Sequence, residues 1–298
     1  MKIEKTFPEC KDYLWGGTKL KEKYGKITDK SPCAESWELS FHKDGPTRIA
    51  DGRLLADVVT KSDIGTKAST FPFFPVLIKF IDAKADLSVQ VHPSDEYALK
   101  NENSFGKTEM WYIVEAELGA GIYLGLKNDI SHEELKDAIF ENRLTDLLNF
   151  IEVKSGDCFF IPSRTIHAIG KGCLICEIQQ NSNLTYRVYD YGRVDKNGNT
   201  RELHVEKALA VSSLQKFEKA EFDGNVLGEC EYFTVTKHSV NGEMKFTATE
   251  ESFNAVTCVG GEGQINGEKI NRGDTFFIPA GYGDYTICGN LEIIFTKV

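Results

Sequence analysis

Ser155-Gly156-Asp157-Cys158-Phe159-Phe160-Ile161-Pro162 is echoed 117 residues later by Arg272-Gly273-Asp274-Thr275-Phe276-Phe277-Ile278-Pro279. In each copy a Gly-Asp turn feeds an apolar run that stops at proline. Glycine accepts the positive φ of such a turn, and proline ends a strand ladder because it has no N–H to donate. The copies stay in step beyond the match: His167 lies 11 residues after Gly156, and Asp284 lies 11 residues after Gly273. This repeat predicts a mainly β chain of two related β-barrels. The first, residues 1–215, carries the chemistry. The second, residues 216–298, has no histidine at the matching place, and the boundary falls near Leu214 to Phe222.

Working outward, Leu87-Ser88-Val89-Gln90-Val91-His92-Pro93 alternates as a strand. Leu87, Val89 and Val91 take one face, and Ser88, Gln90 and His92 the other. Ala34 to Ser40, Met110 to Glu115 and Leu174 to Ile178 also read as strands. Pro75 to Ile81 is a buried-type strand interrupted by Lys79, a charge that needs a partner or a task there. Ser94 to Leu99 reads as a short helix with Ser94 as N-cap and Tyr97 and Leu99 packing. Between residues 129 and 149 the period becomes helical. Ser131 with Glu134 makes a capping box, and Leu135, Ile139, Leu144, Leu147 and Leu148 form a stripe, so this is a small helical insertion. A further helix is expected over Leu203 to Ser213, and Asp12 to Gly17 reads as aromatic and then flexible.

Composition narrows the classes of function. A 298-residue chain with 41% hydrophobic and 27% charged residues can bury one large core or two. Its net charge of −10, with no basic face, argues against general nucleic-acid binding, although a few local cations can still hold an anionic substrate. No apolar run approaches the roughly 18 residues of a membrane span, and the first residues show no apolar leader, so the expected address is the cytoplasm. Cys173 and Cys176 are spaced as a CxxC, but three positions apart on a strand their sulfurs point to opposite faces. They read as buried, reduced thiols rather than a metal or redox pair.

A glutamine and a histidine two residues apart on one strand face can share a cation, and the chain offers partners. Gln90-Val91-His92-Pro93, Lys107-Thr108-Glu109-Met110 and Pro162-Ser163-Arg164-Thr165-Ile166-His167-Ala168 together resemble the zinc-dependent, cupin-type (class I) mannose-6-phosphate isomerases in their short bacterial form. Asp12 to Gly17, Glu35-Ser36-Trp37 and Asn183-Leu184-Thr185-Tyr186-Arg187 resemble further motifs of that family, in the family's order. The resemblance implies two cupin (jelly-roll) barrels and one Zn²⁺ per chain, held by Gln90, His92, Glu109 and His167. Two imidazoles, a carboxylate and an amide oxygen suit Zn²⁺ on chemical grounds, with Mn²⁺, Co²⁺ and Fe²⁺ left open. It also implies that Lys107, Glu177 and Arg187 are catalytic and that Trp15, Glu35, Lys79, Lys107 and Arg187 meet the substrate. Ser163 and Arg164 are additional candidates for phosphate, while His42, His132, His204 and His238 read as surface or structural.

The implied activity is aldose–ketose isomerisation of mannose 6-phosphate and fructose 6-phosphate through an enediol, with no redox cofactor. Glu177, Lys107 and a metal-bound water are open as carrier of the carbon proton. Two other readings stand beside it: a non-catalytic metal-containing sugar-binding cupin, and an isomerase for another sugar phosphate such as glucose 6-phosphate. The expected partners are a small sugar phosphate and no nucleic acid or membrane, with the chain a monomer or homodimer.

Overall fold

The computed structural model describes residues 1–194 and 198–298. The chemical half is built on two antiparallel sheets laid face to face. The six-stranded sheet runs Glu9–Lys11, Glu35–Leu39, Val76–Asp82, Cys173–Gln180, Glu109–Ala116 and Cys158–Ile161. The five-stranded sheet runs Tyr186–Tyr189, Val89–Val91, His167–Ile169, Gly121–Leu126 and Leu148–Glu152. No ladder joins the two among the described residues, so this is an open jelly-roll sandwich and not the closed barrel expected from the repeat. The second half is one seven-stranded sheet, again unclosed, around its own core of Ile265, Ile270, Phe276, Ile287 and Ile293.

The repeat marks equivalent places in both halves. Its strands are Cys158–Ile161 and Thr275–Ile278, and the glycines before them have φ of 95° and 94°. A side chain strains such backbone, which is why the same Gly-Asp turn recurs. His167 then opens a strand, whereas Asp284 is exposed and accepts a hydrogen bond from Thr247. The second half offers no counterpart to the imidazole.

The six-stranded sheet is buried on both faces, which explains the near-continuous apolar run from Pro75. Ile81, Trp111, Ile113 and Ile175 face the interior of the sandwich. Ile78, Phe80, Met110 and Ile178 face outward, packed with Phe253, Phe277 and Ile294 of the second half. Cys173 and Cys176 fall in these two different cores, as their spacing requires. These side chains keep 2% or less of their surface exposed, and burial at about 25 cal/mol per Å² makes the interface between halves part of the fold rather than a hinge.

The helical insertion forms His132–Phe140 and Leu144–Leu147, with the Ser131–Glu134 capping box made in both directions. Together with Val205–Val211 it covers the outside of the five-stranded sheet. Val89 and Val91 pack outward under this helical cover, so the polar face of their strand looks into the sandwich. Leu87 breaks the alternation and packs with the interior core instead. The short helix is Asp95–Asn101. Ser94 holds the N-cap position without a side-chain bond, and Leu99 is exposed, contrary to expectation. Asp12 to Gly17 is pinned rather than flexible: the Trp15 carbonyl accepts from Lys84 and Ala85, and the Gly17 N–H donates to the Asp82 carbonyl. A Cβ on Gly17 would lie 2.2 Å from the Asp82 carboxylate, so the close approach needs glycine.

Candidate metal centre and active site

Strand register gathers the residues. In the five-stranded sheet Gln90 stands opposite His167 on one side and Arg187 on the other, a single row of Arg187, Gln90 and His167. In the facing sheet Glu177 stands opposite both Lys79 and Trp111, and Glu109 is opposite Gln179. Residues far apart in sequence thus face one another across the sandwich.

Three donors converge at its floor. The imidazole centroids of His92 and His167 are 4.9 Å apart, and Nε2 of His167 lies 3.2 Å from Oε1 of Glu109. Nε2 of His92 lies 3.6 Å from Oε2 of Glu109. One ligand atom from each of the three falls within 4.8 Å of the others. All three side chains are essentially sealed from water. Each imidazole's Nδ1 is 2.9 Å from a backbone carbonyl, that of Leu184 for His92 and that of Thr165 for His167. Donation there fixes the tautomer and leaves each Nε2 lone pair aimed at the shared point, the arrangement that ligating histidines use.

The fit to a cation rests on what these groups lack. Nε2 of His167 and both oxygens of Glu109 are buried without a hydrogen bond, apart from the ion contact of Lys107 Nζ at 2.7 Å from Glu109 Oε2. Orphaned buried acceptors are costly, and a borderline divalent cation satisfies all of them together. Burial and the Lys107 ammonium hold His167 down at about 4 and push His92 well below its ordinary value, so both are neutral ligands at physiological pH. Burial, then the neighbouring Glu177, pushes the Glu109 carboxyl up in the absence of a cation. Gln90, on the rung next to His167, is the only one of the four expected ligands to line the open cavity.

Above this floor runs an alternating chain of buried charges. Glu35 Oε2 is 3.6 Å from Lys79 Nζ, which is 3.2 Å from Glu177 Oε1. Glu177 Oε1 is 3.3 Å from Lys107 Nζ, which reaches Glu109. Three carboxylates and two ammoniums sum to −1, and a divalent cation turns this to +1. Burial opposes ionisation of Glu177, but Lys107 and Lys79 outweigh it and hold the carboxyl far below the usual range. The task demanded of Lys79 by its apolar strand is this double pairing. Two indoles brace the carboxylates: Trp37 Nε1 donates at 2.7 Å to the same Glu35 Oε2 that faces Lys79, and Trp111 Nε1 donates at 2.9 Å to Glu177 Oε2, the oxygen that the lysines leave free.

The chain opens into a cavity of about 260 Å³ whose wall includes Trp15, Glu35, Lys79, Lys107, Glu177 and Arg187. Every expected catalytic and substrate-contacting residue therefore reaches one space. Ser163 and Arg164 do not. They line a separate cavity of about 220 Å³, and Arg164 Nε donates to the Val211 carbonyl. Sequence reasoning missed Ser88 and Arg201, both on the wall, and the two indoles behind it. Trp37 closed a quoted motif and Trp111 lay two residues after Glu109, but only register shows what they hold. Of the remaining histidines, His204 has a structural duty: its Nδ1 accepts from the Arg187 N–H, and its own N–H donates to the Arg187 carbonyl.

Comparison with known proteins agrees along the whole chain. Residues 3–119 match the family described as phosphomannose isomerase type I, catalytic domain, and residues 225–298 match mannose-6-phosphate isomerase, cupin domain. A Bacillus subtilis protein named probable mannose-6-phosphate isomerase GmuF is 38% identical, with 96% of each chain covered. The chain belongs to the type I phosphomannose isomerases. The mannose-6-phosphate isomerase of Streptococcus mutans is 36% identical over 94% of this chain and 93% of that one. The crystal structure of the Bacillus subtilis mannose 6-phosphate isomerase superposes with a TM-score of 0.90 at 34% identity, covering 100% of both chains. A putative mannosephosphate isomerase from Archaeoglobus fulgidus follows at 0.80 and 25%. The cupin fold anticipated from the sequence is the fold of this type I phosphomannose isomerase.

Proposed function

We propose that the chain interconverts D-mannose 6-phosphate and D-fructose 6-phosphate at a site holding one Zn²⁺. The observation that carries this reading is the convergence of two tautomer-fixed imidazoles and an otherwise unsatisfied carboxylate directly beneath a cavity lined by paired Lys and Glu. Relatives named mannose-6-phosphate isomerase at 36–38% identity over nearly the full length support the substrate. Gln90, His92, Glu109 and His167 hold the metal in this reading. When bound, zinc supplies a fixed positive charge that stabilises negative charge developing on the substrate oxygens.

The chain's own residues do the rest. Isomerisation removes the proton at C2, returns one at C1 and passes a hydroxyl proton between O1 and O2. The barrier is the low acidity of a carbon beside a carbonyl. Glu177 Oε1 and Lys107 Nζ, 3.3 Å apart on the cavity wall, are the pair that handles these protons. Trp111 fixes the orientation of the carboxylate, and Lys79 keeps it ionised. Trp15 and Glu35 shape the wall beside them, and Arg187 steers the anion. Residues 216–298 pack against the six-stranded sheet and hold it in place. All eight cysteines are free, which supports a reducing, cytoplasmic setting in this reading.

The test is a coupled assay of fructose 6-phosphate formation from mannose 6-phosphate by purified protein, before and after chelation and after zinc is restored. Turnover that vanishes with chelator and returns with zinc is expected. No turnover in the zinc-restored protein would assign it to non-catalytic sugar binding. Faster turnover of glucose 6-phosphate would assign it to a different substrate.

A further inference from the structure

Beyond the row of Arg187, Gln90 and His167, the mouth of the cavity carries a second, unassigned arginine. Arg201 reaches the same wall from outside the strand. Asp190, 5% exposed, grips it in a two-point contact: Arg201 Nε at 2.8 Å from Oδ2 and Nη2 at 2.5 Å from Oδ1. The Arg193 guanidinium shares Oδ1 of the same carboxylate, is itself tied to the Asp86 carbonyl and lies 5.2 Å from the Tyr191 ring. Nothing in the metal chemistry or the proton transfer uses this assembly. It is nevertheless built with a buried carboxylate, two shared guanidiniums and an aromatic backing.

Its charge does not balance. Arg187, Arg193 and Arg201 bring +3 and Asp190 brings −1, leaving +2 at the mouth. Two further acids stand nearby: Glu202 has an exposed carboxylate 3.8 Å from His204, screened by water, and the Asp86 carboxylate is turned to the Lys171 N–H, so neither is paired with the Arg187–Arg201 couple. Burial, then the proximity of Arg201, makes the half-buried Arg187 less basic than an ordinary guanidinium. Two like charges held together in a partly enclosed wall need an anion between them, and planar guanidinium forks match phosphate oxygens.

Spacing identifies which part of the substrate this end would meet. Ser88, Gln90 and His92 follow one another on one side of an extended chain, so Ser88 sits about 13 Å from His92 at roughly 3.3 Å per residue. Arg187 Nε lies 3.3 Å from Ser88 Oγ, which puts the arginines at the Ser88 end and the cation site at the other. An open-chain hexose with its carbonyl over the metal site and its far carbon esterified carries its phosphate to that end.

We infer that Arg201 is a substrate-binding residue that reads the 6-phosphate together with Arg187, and that Asp190, braced by Arg193, is the positioning residue that aims it. This rests on the proposed reaction only for the identity of the sugar. The subsite itself calls for a phosphate monoester dianion.

The test uses the zinc-loaded full chain and its R201M, R201K and D190N variants. Titration calorimetry measures binding of inorganic phosphate, sorbitol 6-phosphate and unphosphorylated sorbitol, alongside steady-state kinetics on mannose 6-phosphate. R201M is expected to raise KM by about 10- to 100-fold with kcat within a few-fold. It should weaken both phosphate ligands by a similar factor and leave any sorbitol binding unmoved. R201K should recover part of the loss, because it restores charge without the fork. D190N keeps the shape of the aspartate and should raise KM by about 3- to 10-fold, and an unchanged KM would overturn the positioning role of Asp190. Unchanged KM and phosphate affinity in R201M would overturn the inference. So would a loss confined to kcat or thermal stability, which marks a merely structural arginine. Phosphate binding that depends on Arg201 in a protein that fails to isomerise mannose 6-phosphate would uphold the subsite and sink the proposed reaction alone.

Discussion

Replacing Lys79 by methionine removes one charge from the buried chain while keeping most of its volume. Lys79 Nζ serves two carboxylates, Glu177 at 3.2 Å and Glu35 at 3.6 Å, and the side chain is only 9% exposed. The five-group sum falls from −1 to −2 on side chains that are almost wholly buried. Removing one partner of a buried pair typically costs about 3–5 kcal/mol, because the other charge stays buried and unpaired. Part of that cost can be escaped by protonation, and this gives the prediction its signature. In the native protein the Glu177 carboxyl is held low, so it stabilises the fold fully above the ordinary carboxylate range and loses this only as pH falls below that range. Without Lys79 the burial that opposes ionisation is less offset, and the folded-state value rises. The variant then binds a proton that the unfolded chain does not, so its deficit grows with rising pH and shrinks as pH falls. Urea denaturation of both proteins, each free of metal, between pH 5 and pH 8 measures this. The expected result is a deficit of about 3–5 kcal/mol at pH 8 that narrows by 1 kcal/mol or more toward pH 5. A deficit under about 1 kcal/mol, or one flat with pH, would show that Lys79 is not the counter-charge of these carboxylates.

Two further substitutions probe the frame around the site. Trp111→Phe keeps an aromatic ring, though a smaller one, and deletes the 2.9 Å donor to Glu177 Oε2. It should cost about 1–3 kcal/mol in chemical denaturation and lower kcat more than it raises KM, since it loosens a catalytic carboxylate rather than a binding contact. Gly156→Ala and Gly273→Ala strain the same backbone angle in the two repeat turns, but an alanine Cβ meets open space at Gly156 and lies 2.5 Å from the Tyr24 carbonyl at Gly273. Thermal melts should show a loss of about 1–2 kcal/mol for the first and a clearly larger one for the second; equal losses would mean that the contact yields freely.

Much of the site could be read from the sequence because its main elements are local. Gln90 and His92 share a strand face by period alone, and the demand for a partner at Lys79 follows from one charge in an apolar run. The 11-residue offset marked His167 in one copy and Asp284 in the other, and the structure keeps both in those equivalent places. What stayed hidden depends on which strands become neighbours. Trp111 meets Glu177 only because Glu109–Ala116 pairs with Cys173–Gln180 in that register. Arg201 reaches the cavity wall from a segment with no periodic signal. Alternation also does not say which face is the inner one: Val89 and Val91 look apolar and therefore central, yet they pack outward because helices cover that side. Barrel closure fails for a similar reason, since a repeat predicts equivalent hairpins but not whether their outermost strands meet.

The strand Glu4–Lys5 pairs with Phe276 and Phe277 at the margin of the second half's sheet. The polypeptide is therefore tied back on itself, and this early segment waits for a partner translated 273 residues later. Until then that short segment has nowhere to dock, and the margin it will cover is absent. Once joined, it blocks the row of backbone groups through which neighbouring molecules could stack. Lys26, which donates to the Gly273 carbonyl from the opening segment, adds a second tie of the same kind. Proteolytic nicking near residue 215 should accordingly leave two fragments that stay clasped together.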